Sequence, residues 1–177
     1  FENSILPYLT NRFGGQGIIV SKVLRTFGIG ESILEERIRH FILAQKNPTI
    51  ALLARSGEIH VRLTAKADSE DTARALIAEL EASLREHIEE YIFGMDEQSL
   101  EQVVGEELHR RGLTVALAES CTGGGATAKL TDVPGSSAYL IGSIVCYDNR
   151  IKTEFVGVTP TLLQEHGADS QQTAAAM

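Results

Sequence analysis

With 177 residues, 43% of them hydrophobic and 23% charged, the chain has the composition of an ordinary globular protein with room for one or two domains. No apolar run is long enough to span a bilayer, nothing resembles a signal peptide, and two cysteines (Cys121 and Cys146) are too few for a disulfide framework and lack a metal-ligand spacing, so a reducing cytoplasm is the expected compartment, with no membrane partner. The net charge of −8 is uneven: residues 12–66 hold nine Lys/Arg against four Asp/Glu and residues 67–111 hold four against thirteen, so the acidic block opposes the pull of the basic one on nucleic acid and no nucleic-acid partner is expected.

The chain opens without an initiator Met, and Gly14-Gly15-Gln16-Gly17 marks a linker or turn. Residues 17–27, with Ile19, Val23 and Leu24, predict a strand, and Gly28-Ile29-Gly30 breaks it. Glu31 or Ser32 opens a helix whose Ile33, Leu34, Ile38, Phe41 and Ile42 recur at helical spacing until Asn47-Pro48 ends it. Residues 49–54 and 58–65 predict two strands joined at Arg55-Ser56-Gly57. Ser69 caps a long helix with Ala73, Leu76, Ile77, Leu80, Leu84, Ile88 and Ile92 on one face. The order β-α-β-β-α predicts an α+β sandwich over residues 15–94, one mixed sheet covered by two helices.

Residues 95–177 change character, from hairpin signals to strand-turn-helix signals. Residues 99–111 predict an amphipathic helix stopped by Gly112. The apolar run 114–118 predicts a strand buried on both faces, ending at Glu119-Ser120-Cys121-Thr122 and followed by three glycines and a helix from Ala126. Residues 139–147 predict an internal strand, after which Asp148-Asn149 caps a helix carrying Ile151, Lys152 and Phe155. Pro160 and then Asp169 or Ser170 begin two more helices, completing an α/β domain. At the strand-turn-helix step, free N–H groups and the positive helix end converge, so a hydroxyl there is exposed and an anion beside it is stabilised.

Ala118-Glu119-Ser120-Cys121-Thr122-Gly123-Gly124 resembles the signature of the C-terminal domain of the CinA family, the nicotinamide-nucleotide amidases also called PncC. Leu130-Thr131-Asp132-Val133-Pro134-Gly135-Ser136-Ser137, Tyr147-Asp148-Asn149-Arg150-Ile151-Lys152 and Glu165-His166-Gly167-Ala168 follow in the family's order. Upstream, Arg25-Thr26-Phe27-Gly28-Ile29-Gly30-Glu31-Ser32 and Asn47-Pro48-Thr49-Ile50-Ala51 resemble the family's KH-like middle domain. The resemblance thus covers almost the whole chain. It implies a tail of a preceding domain at 1–14, a KH-like domain at 15–94 and the first part of a longer, three-layer C-terminal domain at 95–177. The GXXG clamp of RNA-binding KH domains lies between helices, whereas Gly14-Gly15-Gln16-Gly17 precedes a strand and reads as a linker. After the glycine pair the family usually has bulky apolar residues where this chain has Gly125-Ala126-Thr127, which weakens the first helical turn.

The resemblance implies hydrolysis of the carboxamide of nicotinamide mononucleotide to nicotinic acid mononucleotide and ammonia, with no metal or other cofactor. An amidase needs a nucleophile, a base and oxyanion donors. Ser120 is the candidate nucleophile, and no histidine stands in a suitable motif, which leaves a Ser-Lys pair with a lysine kept neutral by burial. The family points to Lys152 for that part. Thr122, Gly123 and Gly124 are candidates for a phosphate or oxyanion cradle, and Tyr147 and Asn149 for substrate contacts. On the residues alone Ser120 fits a helix N-cap, the commonest job for Ser in this setting, Lys152 a surface lysine, Cys121 a rival nucleophile, and the Pro134-Gly135-Ser136-Ser137 segment a second anion-binding turn or a plain loop. A second reading stays open: a non-catalytic nucleotide-binding or scaffold protein linked to competence and DNA damage. Apolar faces left uncovered in the α/β domain would make a homo-oligomer the expected assembly.

Overall fold

The computed structural model describes residues 4–13, 17–55 and 57–177. The turn expected at Gly14-Gly15-Gln16, the hairpin tip at Ser56 and the first three residues of the N-terminal tail lie outside them. The chain divides into two compact units, with the boundary along the sequence between Gln98 and Ser99.

The first unit begins with a helix, α1 (Ile5–Phe13), where the family resemblance implies only a tail. It continues through β1 (Ile18–Phe27), α2 (Glu31–Ala44), β2 (Thr49–Arg55), β3 (Glu58–Ala67) and α3 (Glu70–Ile88) to β4 (Ile92–Met95). The sheet order is β2-β3-β1-β4, and every neighbouring pair is antiparallel, so the mixed sheet expected from the element order is corrected. β1 lies beside β3 rather than β2, so the crossover through α2 makes no parallel pair, and a fourth strand adds at the other edge of β1. Ile92 continues the helical spacing of α3 in the sequence, yet one 3-10 turn at Glu89–Tyr91 intervenes and Ile92 pairs with β1 instead.

Alternation places this unit's core. In β3, Ile59, Val61, Leu63 and Ala65 turn inward while Arg62 stays in water, as the two-residue strand period requires. Leu34 and Ile38 of α2 and Ala73, Ile77, Leu84 and Ile88 of α3 close over them. Ser69 caps α3 by accepting the Thr72 N–H at 3.2 Å. Thr26 is buried without penalty because its hydroxyl donates to the Ile59 carbonyl at 2.7 Å. Lys22 of β1 and Arg85 of α3 pair with Glu81 of α3 at 2.5 and 2.9 Å.

The second unit runs α4 (Leu100–Arg111), β5 (Val115–Glu119), α5 (Gly125–Thr131), β6 (Leu140–Val145), α6 (Asn149–Val156), α7 (Pro160–His166) and α8 (Gln171–Ala176). Ser99 and Gln102 form a reciprocal capping box at the start of α4, and Gly112 ends the helix in the left-handed conformation. The Tyr139 ring lies against Gly105 of α4, where a Cβ would overlap its hydroxyl. β5 and β6 pair in parallel as a sheet of two strands. Two expectations are corrected here. β5 alternates, with Ala116 and Ala118 exposed, rather than being buried on both faces. β6 has one paired neighbour and is an edge strand rather than an internal one, and its Ile141 is 72% exposed, with Ile144 and Val145 exposed too. Among the described residues nothing covers them.

Candidate active site

Parallel pairing brings the C-terminal ends of β5 and β6 to the same edge, where loops of an α/β sheet gather ligands. Ser120 is the first residue after β5. The chain after β6 turns at Cys146 and Tyr147, and Asp148 caps α6 by accepting the Arg150 N–H at 2.8 Å. One helical turn on, Lys152 points back under the edge. It is 1% exposed, the largest fully buried side chain of the described residues.

Its ammonium nitrogen meets three oxygens. Lys152 Nζ donates to Ser120 Oγ at 3.0 Å, to the Cys146 carbonyl at 2.9 Å and to the Tyr147 carbonyl at 2.8 Å. Among the described residues no carboxylate stands within ion-pair distance of it. Two of the partners are carbonyls, which only accept. A neutral amine would therefore spend both of its hydrogens on them and turn its lone pair to the third partner, the Ser120 hydroxyl. The arrangement leaves one place for a proton to arrive, and Ser120 fills it.

The helix-cap alternative for Ser120 fails on geometry. α5 starts at Gly125, and its cap position is Gly124, which has no side chain to offer. The capping is done by Glu119, a residue whose sequence gave no role beyond the motif. Its carboxylate accepts the Ala126 and Thr127 N–H groups at 2.9 Å each, the Thr122 hydroxyl at 2.6 Å, the Thr127 hydroxyl, and Ser143 Oγ at 3.4 Å. The Thr122 and Thr127 hydroxyls, with those N–H groups, hold this carboxyl down at about 2, so it is ionised at any ordinary pH. A signal was available in principle. An acidic residue at a strand end, with threonines three and eight positions on, can fold back on the helix that follows.

The N–H groups of Gly123 and Gly125 close turns onto the Ser120 and Thr122 carbonyls at 3.0 Å. Those of Cys121, Thr122 and Gly124 donate to nothing among the described residues, so the turn keeps donors beside Ser120. Gly123 and Gly124 are left-handed, at φ 60 and 97, as a turn this tight requires. A cavity of about 590 Å³ opens here, lined by Ser120, Cys121 and Thr122 and, across from them, by Asp169, Ser170 and Gln171 at the start of α8. Its size is that of a small-ligand site. No histidine lines it.

The other sequence candidates fall differently. Tyr147 gives Lys152 its carbonyl, although the residue as a whole is 73% exposed. Asn149 faces a separate cavity with Arg150, Pro160 and Leu163. Pro134-Gly135-Ser136-Ser137 forms the entry to a single 3-10 turn before β6. Cys121 is exposed, and Cys146 is buried with its N–H on the Glu119 carbonyl at 2.8 Å.

Comparison with known proteins supplies the relationship. Residues 21–94 match the family model described as the damage-inducible protein CinA KH domain, and residues 97–177 match that of the CinA C-terminal domain. A CinA-like protein of Dictyoglomus thermophilum is 44% identical over 177 residues, covering 100% of this chain and 43% of that protein. A CinA-like protein of Kosmotoga olearia is 42% identical, covering 100% of this chain and 42% of that protein. Among solved structures, the competence/damage inducible protein CihA of Agrobacterium tumefaciens is 40% identical over 44% of this chain and 47% of its own, with a TM-score of 0.43. The chain spans less than half the length of the curated relatives it matches. With both domain models of one family matched in order along it, the chain belongs to the CinA family.

Proposed function

We propose that the second unit carries the serine-lysine amidohydrolase site of a nicotinamide-nucleotide amidase, cleaving the carboxamide of nicotinamide mononucleotide. One observation carries the reading: a fully buried lysine amine, held by two carbonyls, stands 3.0 Å from a serine hydroxyl that lines a cavity. One of the three oxygens that meet this amine is a serine hydroxyl at a cavity wall, where a substrate carbonyl can reach it.

The chemistry follows from the donors and acceptors. Neutral Lys152 takes the proton of Ser120 as Oγ attacks the carboxamide carbon. The developing oxyanion is met by the N–H groups of the turn at Cys121 and Thr122. Lys152 returns its proton to the departing nitrogen, and ammonia leaves behind an ester on Ser120. Water then attacks that ester, giving its proton to Lys152. The tetrahedral intermediate collapses, its bond to Ser120 Oγ breaks, Lys152 returns the proton to that oxygen, and the nicotinic acid nucleotide is released. Atoms balance as amide plus water giving acid plus ammonia. No step needs a metal.

Thr122, Gly123 and Gly124 remain the proposed contacts for the nucleotide, with Tyr147, whose carbonyl also holds Lys152 Nζ, and Asn149, which faces a separate cavity. A phosphate has no claim on the Ala126 and Thr127 N–H groups while Glu119 holds them. The test is ammonia release from nicotinamide mononucleotide by the full-length protein. Ser120→Ala should abolish it and leave nucleotide binding in place, Cys121→Ser should keep most of it, and a chelator should not affect it. Release by Ser120→Ala with a dead Cys121→Ser would move the nucleophile to the thiol. Full activity in both would leave only the binding or scaffold reading.

A further inference from the structure

We infer that Glu119 is the residue that positions Ser120 against Lys152, by tying the turn, the start of α5 and the end of β6 to one carboxylate and one carbonyl. This rests on the serine-lysine reading of the same site.

Glu119 precedes the nucleophile and is 5% exposed. Its two halves bond in different directions. The carboxylate collects the Thr122 hydroxyl, the Ala126 and Thr127 N–H groups, the Thr127 hydroxyl and Ser143 Oγ. That fixes the turn at both ends of its glycines and anchors it to β6. The main-chain carbonyl accepts the Cys146 N–H at 2.8 Å and Cys146 Sγ at 3.4 Å. Cys146 in turn offers its own carbonyl to Lys152 Nζ at 2.9 Å. Ser120 and Lys152 are therefore linked through Glu119 on one side and Cys146 on the other, in a closed loop of bonds.

A carboxylate suits this task and an amide does not. Its oxygens only accept, and every group facing them donates. A glutamine would turn an NH2 toward at least one donor, leaving a buried clash of like groups. The carboxylate touches neither the Ser120 hydroxyl nor the open N–H groups of the turn, so its part is to hold geometry. Small displacements are expensive at a reacting pair: a shift of about 1 Å costs on the order of 10²-fold in rate.

The experiment compares wild type, Glu119→Gln and Thr127→Val, the last removing a single hydroxyl donor. Two quantities are measured on the full-length protein: steady-state ammonia release from nicotinamide mononucleotide, and the rate of Ser120 labelling by a fluorophosphonate, which needs no nucleotide. Glu119→Gln should lower kcat by about 10²-fold, leave KM within about threefold, and slow labelling by the same factor as kcat. Thr127→Val should move both the same way by less. Should Glu119→Gln fail to fold, Thr127→Val decides alone. A lower melting temperature with unchanged labelling rate per folded molecule would make Glu119 a stabilising residue only and overturn the inference. A wild type labelled at Ser120 but inactive on the nucleotide would sink the substrate and leave the positioning role standing if labelling slows in the variants. A wild type neither labelled nor active would take down the serine-lysine reading and this inference together.

Discussion

Replacing Lys152 by methionine removes the proposed base while filling most of its volume. Nζ stands 3.0 Å from Ser120 Oγ, so the proton passes directly and the full effect of a positioned base is at stake. Such a base is worth about 10²–10⁴-fold, or about 3–5 kcal/mol of barrier at about 1.4 kcal/mol per decade. Stability changes too, and the structure says where. The Cys146 carbonyl is buried and loses its donor, a cost of about 1–3 kcal/mol. The Tyr147 carbonyl sits nearer the surface and can turn to water. The variant should thus stay folded but melt earlier, and its rate should be normalised to the folded fraction. The decisive assay is a cycle with Ser120→Ala, read by coupled ammonia release. If the two side chains form one unit, the double variant should be no slower than the slower single one, since neither works without the other. A double variant whose loss is the product of two large single losses would show independent parts, and the direct proton transfer drawn here would be wrong.

Three further outcomes follow from other features. Glu119 is held at about 2 by the Thr122 and Thr127 hydroxyls and nearby N–H groups, against about 4.3 in an unfolded chain, so its contribution to stability is complete above about pH 4.5 and fades as the pH falls toward 2. The gap in urea midpoint between wild type and Glu119→Gln should close over that window, and a gap unchanged down to pH 2 would contradict it. At the turn, Gly123→Ala meets open space at φ 60 and should cost about 1 kcal/mol, whereas Gly124→Ala sits at φ 97 with its Cβ 3.4 Å from Val145 Cγ2 and should cost more; urea denaturation giving the reverse order would refute the ranking. The exposed Ile141, Ile144 and Val145 of β6 should make the 177-residue chain self-associate, and Ile141→Lys should shift light scattering toward monomer; a wild type already monomeric would count against a homo-oligomer built on this face.

Much of the fold was legible where one force dominated. The alternation of Ile59, Val61, Leu63 and Ala65, the helical spacing of Leu34 and Ile38, and the cap at Ser69 are local signals that the structure keeps. Ile92 misleads because a residue at helical spacing from Ile88 can equally serve a strand once a 3-10 turn breaks the helix. The sheet's direction was not written locally, since the pairing of β1 with β3 joins residues about forty positions apart. The exposure of β6 escaped as well, because an apolar run reports what a strand can bury and not what lies over it. At the site, Ser120 and Lys152 were legible through their motifs and the parallel strand ends. Glu119 was not, because its partners lie three to twenty-four residues along the chain and meet only after folding.

The two-stranded sheet acts as a ruler for the site, and rulers tolerate change unevenly. Glu119 stands opposite Val145, which fixes where the chain leaves β6 relative to Ser120. A slip of one residue would slide that exit by about 3.3 Å, as much as the whole Ser120–Lys152 separation, and turn the strand over. An extra residue among 146–148 would carry Lys152 along α6 and away from the serine. An extra residue among 132–135, ahead of β6, would lengthen only a surface turn and leave the pairing untouched. Within this unit, loop length should therefore drift freely before β6 and stay constant after it.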